Sequence, residues 1–346
     1  MRSVLWKNPY FKLLVKYGLG LALLAWVVWS FWDKRQPDGQ QVGISAVLER
    51  PVHWPMLAFG LALYAVAVLV TIARWYGLVR AQDLPFTPRD AIRLGLVGFY
   101  FNTFLPGSVG GDIIKAAFIA RQQDRRALAV ATVLLDRVIG LTGLFWLATL
   151  LGGALFLSGS FDDLLAIQRT RLTLQTILLG AAAITAGTLA AWILLGWIPS
   201  AWLDRFELRL RGFPKIGPTL GELVHAVRVY RRKGRAVALA LAMSIANQFI
   251  LVVAFFCAAN FFTPTDQLPP FGTHLLIVPI GMTFQAGVPL PGGIGGAEFG
   301  YGTLYDLIGF RFADGVLGSL GLRIISWVLG LVGYVVYLRS SPSERT

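Results

Sequence analysis

The chain has 346 residues, 56% of them hydrophobic and 14% charged, with 11 Trp and 23 Phe, and its apolar runs reach the roughly 20 residues that cross a bilayer as a helix. That composition excludes an ordinary soluble domain, and the net charge of +13 points to loops facing an anionic leaflet rather than to nucleic acid. One cysteine, Cys257, gives no disulfide framework, and His53, His225 and His274 lie too far apart to suggest a metal site; no cofactor is expected.

Read in chain order, the first apolar run is Leu13–Trp32. It follows Lys7 and Lys12 and carries Lys16 near its start, as a signal peptide would, but it is too long, and Phe31-Trp32-Asp33-Lys34 lacks the small residues of a cleavage site, so it reads as a retained first span. Trp54–Ala73 is the second span. Ala91–Lys115 is apolar but interrupted by Leu105-Pro106-Gly107-Ser108-Val109-Gly110-Gly111-Asp112. Leu128–Leu157 and Leu174–Gly196 are the next two spans. The loop from Trp197 to Arg235 then mixes nine Lys/Arg with Trp202, Phe206 and Phe213, a pattern suited to a segment lying on an anionic leaflet or to a simple topological anchor. Ala236–Phe262 is the fifth span. Leu275–Phe310 is interrupted by Leu290-Pro291-Gly292-Gly293-Ile294-Gly295-Gly296-Ala297-Glu298, and Val316–Leu338 is the sixth span.

Whether the two interrupted regions cross or turn back decides the topology, and Lys/Arg placement arbitrates, because positive short loops stay cytoplasmic. If both turn back, 23 Lys/Arg fall inside, among them Arg74, and 6 outside, with Arg137 and Arg323 in the membrane; if both cross, 12 fall inside and 17 outside. Turning back satisfies the rule. An arm of about 11 residues, at a helical rise of roughly 1.5 Å, also ends near the bilayer midplane. Non-helical backbone at that depth must be buried in protein or line a wet cavity.

The two interruptions match beyond their glycines. Arg137 follows Asp112 by 25 residues, and Arg323 follows Glu298 by the same 25. The expected architecture is therefore an all-α polytopic membrane protein with six full spans and two re-entrant helical hairpins. These form an inverted-topology repeat, residues 1–158 and 159–346, with both termini cytoplasmic.

The candidate substrate-binding residues are Asn102, Asp112, Lys115, Asp136, Arg137, Glu298 and Arg323, with re-entrant tips at Pro106, Gly107, Gly110, Gly111, Pro291, Gly292, Gly293, Gly295 and Gly296. Charges at such depth cost roughly 2.5–3.5 kcal/mol on insertion scales, so each needs an interior partner or a function. The same spacing also suits buried salt bridges, Asp112 to Arg137 and Glu298 to Arg323, locking each hairpin to the following span. The acids can equally cap the half-helices that begin at Gly111 and Gly296. Asn102 suits bonding of freed backbone, and Lys115 suits snorkelling to the interface or holding an anionic head group there.

The string Asn102-x-x-x-Pro106-x-x-x-Gly110-Gly111-Asp112-x-x-Lys115, then Asp136-Arg137, then Pro289-Leu290-Pro291-Gly292-Gly293-Ile294-Gly295-x-x-Glu298, resembles the flippase-like transmembrane domain of lysylphosphatidylglycerol synthases. The resemblance covers nearly the whole chain and implies movement of a phospholipid or lipid-linked sugar head group between leaflets of a bacterial inner membrane. In the synthases a separate cytosolic domain makes the lipid. Here the sequence ends eight residues after the last span, so synthetic activity is not expected. Two other readings remain: a membrane-embedded transferase using Asp112 or Glu298 as general base, or a scaffold recruiting a cytosolic enzyme through the basic loop.

Overall fold

The computed structural model describes residues 25–26, 28–30, 32–33, 44–49, 51–104, 110–121, 123, 125–213, 217–287 and 293–339. Most of the expected first span Leu13–Trp32 lies outside these, as do the tip residues Pro106, Gly107, Pro291 and Gly292. The described residues are helical, with no strand.

Among the described residues, five helices are long and apolar enough to cross a membrane. They are α1 (Trp54–Ala81), α4 (Arg126–Leu157), α5 (Gln168–Trp197), α8 (Gly234–Phe262) and α11 (Phe312–Arg339). Between them lie α2 (Pro88–Phe104), α3 (Gly110–Arg121), α6 (Ser200–Arg211), α7 (Gly217–Arg232), α9 (Phe271–Gly287) and α10 (Gly296–Leu307). The expected span boundaries agree to within a few residues except in α1, which runs past Ala73 to Ala81. No proline interrupts that stretch, and the helix ends only where Asp83 takes a left-handed conformation (φ 57°). Arg74 therefore lies inside a helix rather than in a loop.

Both interrupted regions fold as helical hairpins, with arms of 17 and 12 residues in each case. Thr87 starts α2: its Oγ1 accepts the Asp90 N–H, and Pro88 occupies the first turn, where its missing N–H costs nothing. Near the tip of this hairpin the Gly111 N–H donates to Asn102 Oδ1 at 2.7 Å. Midway along, the Lys115 stem lies against Gly98, and at the base Gln123 Nε2 donates to the Pro85 carbonyl at 2.7 Å. The chain thus returns to the end from which it entered. Gly111 is obligatory, since a Cβ there would lie 1.9 Å from the Gly98 carbonyl oxygen. The second hairpin closes likewise: Gly293 sits on Gln285, the Tyr301 hydroxyl donates to Val278 O at 3.4 Å, and His274 Nε2 meets the Tyr305 hydroxyl at 2.7 Å.

The centre is an antiparallel pair, α1 against α8. Gly60 packs on Cys257, the His53 N–H donates to Phe261 O at one end, and Arg74 reaches Ser244 at the other. The hairpins are clasped crosswise. Helix α11 packs on α2, with Tyr334 and Tyr100 ring centroids 5.2 Å apart and Gly333 pressed against the Leu96 carbonyl. Helix α4 packs on α9 through Gly152 and Leu276, where a π turn over Ala148–Gly152 relaxes the helix around the contact.

The basic loop folds as two amphipathic helices, α6 and α7. Arg228 joins them by pairing with Asp204 at 2.5 Å and Glu207 at 2.7 Å. Helix α7 docks on the ends of α1 and α4: Tyr230 donates to Leu78 O, Gln82 Nε2 to Ala226 O, and Glu222 accepts the Leu128 N–H, satisfying a free donor in the first turn of α4. Helix α6 leaves Trp202 and Phe206 exposed beside Arg205 and Arg209.

Candidate functional site

Asp112 occupies the first turn of α3, where a carboxylate offsets the helix dipole. Its Oδ2 meets Arg137 Nη1 of α4 at 2.5 Å, and its Oδ1 receives a long contact, 3.5 Å, from Asn102 Nδ2. The pair is partly open, with side chains 27% and 16% exposed for Arg137 and Asp112. Asn102 does the structural work expected of it, holding the freed Gly111 N–H.

The second pair has the same spacing and a different environment. Glu298 Oε2 accepts the N–H of Gly295, which caps α10 at φ +81°, while Oε1 accepts from Arg323 Nε at 2.7 Å and Ser319 Oγ at 3.3 Å. Glu298 is 0% exposed and Arg323 5%. This carboxylate therefore both caps a half-helix and neutralises a buried arginine, so the locking and capping expectations hold together there. Gly110, Gly111, Gly293, Gly295 and Gly296 sit at the ends of the arms around these two pairs.

Asp136 does not join Arg137. It turns to Arg74, accepting from Nε at 2.8 Å, while Arg74 Nη1 donates to Ser244 Oγ and Nη2 to the Asp136 carbonyl. Arg74 is 5% exposed, which corrects its assignment to a loop: α1 carries it into the interior, where a carboxylate and a hydroxyl compensate its charge. Lys115 also departs from expectation. Instead of snorkelling it is 7% exposed, with Nζ 4.2 Å from the Trp75 ring centroid, because Gly98 leaves a slot for its stem.

Two cavities adjoin these groups. The larger, about 330 Å³, is bordered by Arg323, Ser319, Gln285, Gln248 and Trp327. The smaller, about 150 Å³, is bordered by Asp112, Lys115, Asp136 and Asn247. Tyr64, Phe99, Asn102 and Leu251 line both, and Tyr64 and Phe99 stand with ring centroids 6.1 Å apart. Asn102, Asp112, Lys115 and Asp136 are thus brought to one cavity, while Arg323 faces the other and Glu298 is sealed behind it.

Arg74, Ser244, Asn247, Gln248 and Tyr64 were not among the sequence candidates. Asn247-Gln248 was the readable signal, two amides within an otherwise apolar span. The carbonyl oxygens of both are buried without a partner among the described residues, and Gln248 Nε2 donates to Gly140 O.

A family model described as "Lysylphosphatidylglycerol synthase TM region" matches residues 17–333. Comparison with curated proteins and with solved structures returns no match. Long apolar helices, two Gly-broken hairpins and buried acid–arginine pairs agree with that match in describing a multi-pass membrane protein connected with lipid. The chain belongs to the lysylphosphatidylglycerol synthase transmembrane-region family.

Proposed function

We propose that this protein is a lipid translocase, in which a phospholipid or lipid-linked head group passes between the two hairpins while the acyl chains stay in the bilayer. The observation that carries this reading is the pair of adjoining cavities, one at each hairpin, sharing the wall of Tyr64, Phe99, Asn102 and Leu251. Polar cavities at membrane depth between repeats are where transporters hold substrate.

An inverted-topology repeat is supported by the matching 17- and 12-residue arms, by antiparallel packing of α1 on α8, and by the crosswise clasp of the hairpins. On this reading the hairpins are re-entrant, each short arm of 12 residues, about 18 Å long, ending near the midplane. Both termini face the cytoplasm of a bacterial inner membrane, and the exposed aromatic and arginine side chains of α6 rest on its anionic leaflet. Transport is downhill or ion-coupled, and Asp112 and Asp136, which border the smaller cavity, are the acids placed to carry protons.

The test is reconstitution into liposomes carrying fluorescent phospholipids in both leaflets, with a membrane-impermeant quencher outside. The expected result is loss of protected fluorescence that depends on the protein and is slowed by Arg137→Ala and Arg323→Ala. No protein-dependent movement of any lipid, or movement indifferent to both substitutions, would overturn the proposal. Chemical conversion of a lipid in the same vesicles would favour a transferase instead.

A further inference from the structure

A third cavity, of about 290 Å³, lies away from both hairpins. Leu189 and Trp192 of α5 form one wall and Val237 and Leu241 of α8 the other, with Trp146 of α4 among them and Arg231 of α7 beside the start of α8. The groove exists because α5 is tied to α4, through Trp146 to Thr188 and Thr149 to Thr185, and packs there rather than on α8. It borders residues 189–196 of α5 and 234–241 of α8, about 10 Å of helix on each side, against roughly 15 Å of hydrocarbon in one leaflet. Two polar atoms of its lining are already engaged, since Tyr230 donates to Leu78 O and Trp146 Nε1 to Thr188 Oγ1. The groove therefore gives water few partners and suits a hydrocarbon chain. Left empty, it would forfeit the dispersion contacts of its walls. Its mouth is open: a Cβ added at Gly196 or Gly234, both on its border, would meet nothing within 4 Å.

The mouth is also cationic. Arg231 Nη1 donates to the Ile198 carbonyl just past the end of α5, which fixes the guanidinium beside the groove. The acids nearby are engaged elsewhere, Asp204 and Glu207 with Arg228 and Asp83 with Lys233. Arg231, Arg232 and Arg235 have no carboxylate within salt-bridge reach among the described residues. Helix α8 begins at Gly234 with no side-chain cap and no acid in its first turn, so its free N–H groups and the positive end of its dipole favour an anion at the same place.

We propose that this groove is a fixed phospholipid site, separate from the cavities between the hairpins. One acyl chain lies between α5 and α8, and the phosphate rests on Arg231 and the first turn of α8, in the leaflet that α6 and α7 face. The lipid is a net anion, because a choline or ethanolamine group would bring a further cation to a mouth that is already positive. It is a packing component and not cargo, filling the gap that keeps α5 from α8. The site requires only that α4, α5 and α8 lie in a membrane, so it stands or falls apart from translocation.

The test is native mass spectrometry of the delipidated, detergent-purified full chain mixed with dioleoyl phosphatidic acid or dioleoyl phosphatidylcholine. A phosphatidic acid adduct is expected at concentrations at least about tenfold below those needed for phosphatidylcholine. Arg231→Gln should weaken it by about tenfold, the loss of one charge-assisted contact, and Ala238→Phe, which puts a ring into the groove from α8, should abolish it. Arg137→Ala and Arg323→Ala, at the hairpin pairs, should retain it. Unliganded melting temperatures equal to wild type show that the two groove variants are folded; where either is not, Gly196→Leu, entering open space on the opposite wall, takes its place and should also remove the adduct. Equal retention of the two lipids, or an adduct indifferent to the groove substitutions, overturns the proposal. So does an adduct lost with Arg137→Ala or Arg323→Ala, which would place the lipid between the hairpins. Glycerol 3-phosphate held as tightly as the lipid would assign the mouth to a soluble anion, and a dimer mass abolished by Ala238→Phe would assign the groove to a second copy; either result overturns it too. A groove-dependent adduct on a protein that moves no lipid upholds this site and leaves the translocase reading to fail alone.

Discussion

Replacing Glu298 by Gln tests how differently the two acid–arginine pairs are built. The substitution keeps one oxygen to accept from the Gly295 N–H, but it sets an amide NH2 where Oε1 met Ser319 and Arg323 and removes the charge facing Arg323, which is 5% exposed. A buried cation left without its partner costs about 3–5 kcal/mol, a shift on the order of ten degrees in melting temperature. Asp112→Asn makes the same chemical change at a pair whose side chains are 16% and 27% exposed, where water can solvate Arg137, and should cost about 1 kcal/mol or less. The double variant Glu298→Leu with Arg323→Met removes both charges and should recover part of the loss, short of the about 0.5–2 kcal/mol of the Gly295 cap that goes with the carboxylate. Tryptophan-fluorescence melting of the purified protein reads all three. Equal shifts for Glu298→Gln and Asp112→Asn, or a double variant no better than Glu298→Gln, would refute the distinction between a sealed lock and an open pair.

Tyr64→Ala removes a ring from the partition between the cavities and should raise the rate of lipid movement in vesicles; an unchanged rate would show that the partition does not limit passage. Glu222→Ala frees the Leu128 N–H at the start of α4 and should cost about 0.5–2 kcal/mol, with faster proteolysis at the arginines of α7. In a chain with Cys257 replaced, cysteines introduced at Arg121 and Arg228 should react with impermeant reagent from one side of the membrane, and a cysteine at Arg169 from the other. Outside the spans, hydrogen bonding by Lys233 holds the Asp83 carboxyl below its ordinary range. A lowered folded pKa means that this contact contributes fully above about pH 4 and is lost as pH falls through the lowered value. Lys233→Met should therefore raise the Asp83 pKa seen by NMR, and an unmoved titration would contradict the contact.

The span pattern was legible because hydrophobic length is a local property: α4, α5, α8 and α11 begin and end near where their apolar runs do. The pairing of Asp112 with Arg137 and of Glu298 with Arg323 was legible as well, since a repeated spacing is written in one dimension. Arg74 was not. Its position seven residues before the end of α1 depends on the helix continuing into a polar stretch, and its partner Asp136 is 62 positions away. Lys115 misled for a related reason, because a lysine at the close of an apolar run ordinarily reaches for water, and only packing on Gly98 and Trp75 directs it inward. Asn247 and Gln248 stood out in an apolar span, but nothing in the sequence said which way they faced.

The crosswise clasp has a consequence for how the chain is made. The face of α2 that carries Leu96 and Tyr100 is covered by Gly333 and Tyr334, more than 230 residues later in synthesis. The first hairpin therefore emerges from the ribosome with one side uncovered and stays so until the final helix is inserted. Assembly cannot finish half by half, and a nascent chain halted before residue 312 would present an unclad α2 to the insertion machinery and to the proteases that survey it.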